Sequence, residues 1–289
     1  MSDWSPTAYL RYTDERSRPF AELLARVTGA GTAAPATVLD LGCGPGHLTA
    51  LVRDRWPGAV VVGLDASPAM IEQARAGDPD GSYVLGDVRD VAAGALVAGL
   101  PERPDLVISN ATLQWVPGHR DLLARLAARA AQTFAFSVPG NHDAPSHRTL
   151  REVAGRAPYA DAVGPVERRA VGDPAEYLEL LAGPGWSVDA WETTYTHVLD
   201  GEDPVLRWIS ATGAQPVLHA LDAHDATHGT GLRRRFDADL GAALREAYPR
   251  RPFGTPLEFR RVFAVATRSG TGADDGPAGP GRDGRTVVA

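Results

Sequence analysis

The sequence contains no lysine: all 29 of its basic side chains are arginine. We read that skew as genomic base composition rather than chemistry, and it lowers the weight that any single arginine carries as a functional signal. Cysteine is nearly absent as well. Cys43 stands alone in 289 residues, so no intrachain disulfide can form and a reducing, cytoplasmic setting is expected. No apolar run approaches the ~20 residues that span a bilayer, so no membrane contact is expected. The stretch MSDWSPTAYLRYTDER carries acids and has no apolar core, which argues against a secretory signal. A net charge of −7 offers no general basic face, so no nucleic-acid partner is expected. What is present is 44% apolar and 22% charged residues, ordinary for a soluble globular protein, in a length that allows one large domain or two small ones. Nothing in this composition asks for more than a monomer.

Short apolar runs recur through the first half: 36–42, 59–65, 82–87, 104–110 and 133–138. They are continuous rather than alternating, as strands buried on both faces of a parallel sheet are. Helical stretches are predicted between them at 46–56, 68–77, 91–99 and 119–131. Ser67 followed by Pro68 is a strong helix start, a cap followed by a proline in the first turn. Strand–helix alternation at this spacing predicts a doubly wound α/β sheet. The second half reads differently. DPAEYLELLA (173–182) is a capped helix, WSVDAWETTYTHVL (186–199) alternates like a long strand, and 203–247 looks helical. LEFRRVFAVATR (257–268) reads as a last strand paired with the earlier one, and 269–289, rich in Gly, Asp and Pro, as a disordered tail.

The stretch VLDLGCGPGHLTAL (38–51) places Gly42, Gly44 and Gly46 between the first strand and the first helix. A dinucleotide fingerprint would want its third glycine at 47, where His47 stands, and no Gly-Lys-Ser/Thr follows for a P-loop. Asp40 would repel a pyrophosphate. A zwitterion fits better: the helix start after Gly46 attracts a carboxylate, while Asp40 favours an amine or a sulfonium. Asp65 closes the second strand, placed to accept from a ribose diol. Asp87 closes the third, placed for an adenine amino group, and Asn110 closes the fourth. In open α/β sheets such strand ends converge on one crevice.

The segments DLGCGPG, GLDASPAMIEQAR and SNATLQWV resemble the motifs of class I S-adenosylmethionine-dependent methyltransferases. MSDWSPTAYLRYTDERSRPFAELLARV, LQWVPGHRDLL, WETTYTHVL, WISATGAQP and FRRVFAVATR narrow the resemblance to the trans-aconitate 2-methyltransferase family, over residues 1 to about 268. The resemblance implies a Rossmann-like, mostly parallel seven-stranded sheet with a helical cap, S-adenosylmethionine as cofactor, and transfer of its methyl group to a carboxylate of trans-aconitate. It adds Ala66, Met70 and Val88 to the cofactor residues. The expected layout is a methyltransferase domain over 1–268: an N-terminal helical segment (1–35), a cofactor core (36–138), and a cap from 141–183 and 200–255. RLAARAAQTFAF lacks the Pro-Gly turn common before strand five in the family, and His142 stands where an aromatic is often found.

A carboxylate nucleophile is already ionised at neutral pH, so no general base is expected and the protein's work is positioning. A polyanionic substrate needs cations, which favours arginine. Arg16 and Arg18 are the first candidates, with Tyr9 and Tyr12 closing over the site, Trp115 as a wall and His142 as a donor. His147 reads as a loop residue. Arg260 and Arg261 alternate on a strand, so at most one faces the site. His224 and His228 have a spacing that can hold zinc on a helix, but without cysteine or a second ligand cluster no metal is expected. Two alternatives stay open: methylation of another carboxylate, such as a malonyl-thioester on a carrier protein, and a non-catalytic module that senses S-adenosylmethionine.

Overall fold

Each short apolar run becomes a strand, because runs of Val, Leu and Ile with no polar face are stable only when covered on both sides. The computed structural model describes residues 13–29, 34–165 and 170–269, with backbone alone for 13–16, 28 and 29. In chain order the elements are α1 (Thr13–Gly29), β1 (Thr37–Leu41), α2 (His47–Arg55), β2 (Val60–Asp65), α3 (Pro68–Gly77), β3 (Ser82–Leu85), α4 (Val88–Ala92) and β4 (Leu106–Asn110). A 3-10 turn (Leu113–Trp115) leads to α5 (His119–Arg129) and β5 (Thr133–Pro139). Then come α6 (Pro145–Ala154), α7 (Ala160–Val163), α8 (Pro174–Leu181), β6 (Trp186–Leu199), α9 (Pro204–Ser210), α10 (Gln215–His228), α11 (Leu232–Ala247) and β7 (Thr255–Arg268). Except for Ser269, the expected disordered tail lies outside the described residues.

The strands form one sheet in the order β3-β2-β1-β4-β5-β7-β6. The first five are parallel, while β7 runs antiparallel between β5 and β6. Chain order reverses between β1 and β4, which opens a crevice at their carboxyl ends. One face of the sheet is covered by α1 and α2, through Phe20, Leu23, Val52 and Trp56. The other is covered by α4, α5 and α8, through Val91, Leu123, Leu126 and Tyr177.

β6 and β7 are paired over all 14 residues of each, from Trp186↔Arg268 to Leu199↔Thr255. At ~3.3 Å per residue such strands reach more than twice as far as the five-residue β1, so one end of the hairpin overshoots the sheet. There Leu199 and Leu257 enter a separate core with Leu150, Trp208, Leu218 and Phe236 of α6, α9, α10 and α11. This second core is a helical cap standing over the crevice.

The stretch 203–247 is helical as expected, divided into α9, α10 and α11. Two expectations need correction. The helix predicted at 91–99 is the short α4, capped by Asp87, whose carboxylate accepts from Arg89 N at 2.8 Å, and it ends before Gly94 in the left-handed region (φ 79°). The second is the helix at 173–182, expected in the cap: as α8 it lies on the sheet. Tyr177 is fully buried there against Phe136 and places its hydroxyl 3.0 Å from His119 Nε2, also accepting from Gly172 N at 3.1 Å. That side chain is anchored in the sheet core, which outweighs the helix's position in the chain.

Candidate functional site

The glycine stretch is stapled to the neighbouring strand before any ligand is considered. Gly42 N and Cys43 N both donate to Leu64 O, at 2.7 and 3.0 Å. Gly42, Gly44 and Gly46 all have positive φ (74°, 57° and 84°), which an L side chain rarely adopts. The three differ in what surrounds them. A Cβ on Gly42 would lie 2.0 Å from Thr112 Oγ1 and one on Gly46 2.7 Å from Tyr83 Oη, whereas a Cβ on Gly44 would meet nothing within 4 Å. Gly44 therefore presents bare backbone to open space.

Asp65 organises this turn. Its Oδ2 accepts from Gly44 N at 2.9 Å and its Oδ1 from Ser67 N at 2.8 Å. Burial raises its pKa from the usual carboxylate value, and the backbone donors oppose that rise. Ser67 in turn caps α3, accepting from Met70 N at 3.4 Å. Across the crevice, Asn110 Oδ1 accepts from Ser137 Oγ at 2.5 Å. The next residue, Ala111, has φ 56°, an unusual value for alanine of the kind that collects at functional sites.

These residues border a cavity of about 650 Å³, within the usual range for small-molecule sites. Its floor is Gly42, Gly44, Asp65, Ala66, Met70, Asp87, Val88 and Asn110, with Trp115 on the 3-10 turn. All nine were expected from sequence. Asp87 also holds Arg89, with Arg89 Nε 3.0 Å from Oδ1 and Nη2 2.5 Å from Oδ2, and this lowers its pKa.

Other expected residues are elsewhere. Asp40 is buried beneath the glycine turn, where its Oδ2 accepts from Thr49 Oγ1 at 2.7 Å, and desolvation pushes its pKa up to about 6. It does not border the cavity, because its side chain turns to α2. Gly46 caps α2, its carbonyl accepting from Ala50 N, and also lies off the cavity. His142 does not line it either: it sits in the turn before α6, with Nε2 3.9 Å from Asp143 Oδ1. Arg18 lies over the Tyr195 ring at 5.3 Å, on the α1 side of the sheet. Tyr9, Tyr12 and the Arg16 side chain lie outside the described residues.

The opposite wall comes from the cap and β7: Asn141, His147, Trp208, Thr212, Phe259 and Arg261. His147 belongs to the first turn of α6, not to a loop, and its Nδ1 is 3.2 Å from Ser146 Oγ. Of the two neighbouring arginines on β7, Arg261 is the one at the cavity. Trp208 and Thr212 fall within WISATGAQP, so that stretch held a usable signal. Phe259 and Arg261 fall within FRRVFAVATR, a second such stretch, and strand alternation allowed only one of Arg260 and Arg261 to face the site.

A sheet in this order, with a glycine turn after β1, an acid ending β2 and another just past β3, defines the class I methyltransferases. A family model described as a methyltransferase domain matches residues 12–189, more than half of the chain. A putative sarcosine dimethylglycine methyltransferase from Galdieria sulphuraria shares the fold, with a TM-score of 0.51 and 13% identity, over 92% of this chain and 91% of that one. Within the class, the chain belongs to the trans-aconitate 2-methyltransferase family. It is 49% identical to the trans-aconitate 2-methyltransferase of Streptomyces avermitilis, over 92% of this chain and 97% of that protein. The protein of the same name from Streptomyces coelicolor is 47% identical, over 92% of this chain and 86% of its own.

Proposed function

We propose that this protein transfers the methyl group of S-adenosylmethionine to a carboxylate of trans-aconitate, or of a similar small polycarboxylate, in the cytoplasm. The products are the monomethyl ester and S-adenosylhomocysteine. The observation that carries this reading is the two-sided cavity. Its floor is bare glycine backbone with fixed acids, and its cap wall holds Arg261, which is 4% exposed.

The floor fits the cofactor. Gly44 leaves room for close approach of the amino-acid end, since even a Cβ there would meet no protein atom. Asp65 has both oxygens oriented by backbone donors, and each keeps a lone pair for a ribose hydroxyl. Asp87, two residues past β3, would accept from the adenine amino group, and Met70 and Val88, which also line the cavity, would border the ring. S-adenosylmethionine supplies a methyl group on a sulfonium, which leaves as a neutral thioether.

The remaining work belongs to the chain's own residues. An ionised carboxylate attacks without losing a proton, so no side chain has to act as a base. One O–C bond forms, one S–C bond breaks, and two opposite charges vanish. Trp115, Trp208 and Phe259 line the reaction space with apolar surface, which strips water from the attacking oxygen. Alignment of oxygen, methyl carbon and sulfur supplies the rest.

Incubation with methyl-labelled S-adenosylmethionine and trans-aconitate tests the reading. Label should appear in an extractable monomethyl ester. Tight cofactor binding with no transfer to any small polycarboxylate would replace it with a sensor, and transfer to a malonyl carrier protein with another carboxylate methyltransferase.

A further inference from the structure

The amide of Asn110 is fixed by the strand beside it. Asn110 pairs with Ser137 where β4 and β5 run parallel, and Ser137 Oγ donates to Asn110 Oδ1 at 2.5 Å. That separation suits a hydroxyl donating to an oxygen and is too short for an amide N–H on the hydroxyl. The amide is thereby oriented, with Nδ2 turned away from Ser137. The backbone beyond it is held as well: Ala111 N donates to Ser137 O at 2.8 Å, and Thr112 Oγ1 stands 3.2 Å from both Gly42 O and Asn110 O. Asn110 is 7% exposed and borders the cavity. Its Nδ2 keeps accessible surface and has no partner among the described residues.

Strand register places that donor between the two halves of the cavity. Gly44, Asp65 and Asp87, which fit the cofactor, end or follow β1, β2 and β3. On the other side, Ser137 pairs with Phe263 of β7 and Pro139 with Arg261. Side chains alternate along a strand, so Asn110, Ser137, Phe263, Arg261 and Phe259 share one face of the sheet. Because β7 runs antiparallel to β5, Arg261 and Phe259 continue that face past the carboxyl end of β4, where they line the cavity. Asn110 is thus flanked by the glycine turn on one side and by the wall beneath the cap on the other.

We propose that Asn110 holds the reacting carboxylate: Nδ2 donates to the oxygen that does not attack, and Ser137 is the positioning residue that keeps this donor aimed. The inference rests on the carboxylate-methylation reading above. A carboxylate can turn about its C–C bond, and few of its orientations bring an oxygen in line with the methyl carbon and the sulfur. One hydrogen bond to the second oxygen removes that freedom. The attacking oxygen gives a lone pair to the methyl carbon, the S–C electron pair stays on sulfur, and no proton moves. The transfer also takes the negative charge off the carboxylate. A guanidinium on the second oxygen would favour the charged ground state and lose that attraction in the transition state. A neutral amide loses less, and its N–H can still donate to the carbonyl oxygen of the ester.

The test compares the parent protein with Asn110→Ala, Asn110→Asp, Ser137→Ala and the double variant Asn110→Ala/Ser137→Ala. Steady-state kinetics give kcat/KM for trans-aconitate. Calorimetry gives the affinity for S-adenosylhomocysteine and, on protein saturated with it, the affinity for trans-aconitate. Asn110→Ala should lower kcat/KM at least tenfold and leave S-adenosylhomocysteine affinity within threefold. Asn110→Asp keeps an acceptor for Ser137 Oγ but puts a negative charge where the donor was, and should fall further. Ser137→Ala should lower kcat/KM at least threefold in the parent and less than twofold in the Asn110→Ala background, because a residue that acts through the amide has nothing to act on once it is gone. The proposal is overturned if Asn110→Ala loses less than tenfold, or if its S-adenosylhomocysteine affinity falls in parallel. It is also overturned if Ser137→Ala has the same effect in both backgrounds, or if the parent neither binds nor methylates trans-aconitate. A parent that binds trans-aconitate but transfers no methyl sinks the functional reading alone. A tenfold loss of trans-aconitate affinity in Asn110→Ala then still upholds the grip, and a smaller loss overturns it.

Discussion

At the scale of single residues, glycines two positions apart in one turn do different work. A Cβ at Gly42 would collide with Thr112, and one at Gly44 would enter open space. Gly42→Ala is therefore expected to destabilise the fold by more than the ~1–2 kcal/mol of left-handed strain alone. Gly44→Ala should incur little beyond that strain while weakening S-adenosylhomocysteine binding at least tenfold. Urea denaturation and calorimetry on both variants separate the two effects, and equal losses of stability would contradict the assignment. Asp65→Ala removes the acceptor shared by Gly44 N and Ser67 N. Leaving those donors unsatisfied costs ~1–3 kcal/mol, and cofactor binding should fall below detection. Unchanged affinity would refute the ribose placement. These positions were legible in the sequence because each sits at the end of a strand recognisable from its own residues. Asp40 was not, since whether a strand-end carboxylate faces the cavity or the adjoining helix depends on the turn above it.

At the scale of elements, α8 is docked on the sheet core through Tyr177 and Leu181, and Tyr177 adds the hydrogen bonds. Tyr177→Phe keeps the ring that packs edge-on to Phe136 but removes the partner of Gly172 N and His119 Nε2. A loss of ~1–3 kcal/mol in urea denaturation, with cofactor affinity unchanged, is expected. Full stability in that variant would mean that apolar packing alone docks the helix. The amphipathic pattern of 173–182 predicted the helix but not its partner surface. An apolar stripe specifies that something covers it, and only the rest of the chain says what.

At the scale of the whole molecule, two buried groups set opposing pH dependences. His119 is held neutral by burial, its pKa pushed down to about 4. The unfolded chain binds that proton more readily, so stability falls as pH drops from about 6.5 to 4. Asp40 is pushed up to about 6. The unfolded chain loses that proton first, so stability falls as pH rises from about 4 to 6, by ~3 kcal/mol in all. Asp40→Asn keeps an acceptor for Thr49 and removes the second effect. Its melting temperature relative to the parent should climb between pH 4 and 6 and level off above 7. A difference independent of pH would show that Asp40 does not titrate in that window.

Local residue patterns alone specify the strands, the glycine turn, the acid that ends β2 and the one just past β3, hence one side of the cavity. Those features depend on residues within a few positions of one another: apolar runs, a cap, a backbone that must turn. The cap wall was decided only by tertiary structure. Residues 141, 147, 208, 259 and 261 meet there because β7 inserts between β5 and β6, and because the long hairpin carries its far end into a second core. Strand pleating says that one of two adjacent arginines faces each way. Which way depends on what the strand pairs with more than a hundred residues earlier, and no local pattern records that.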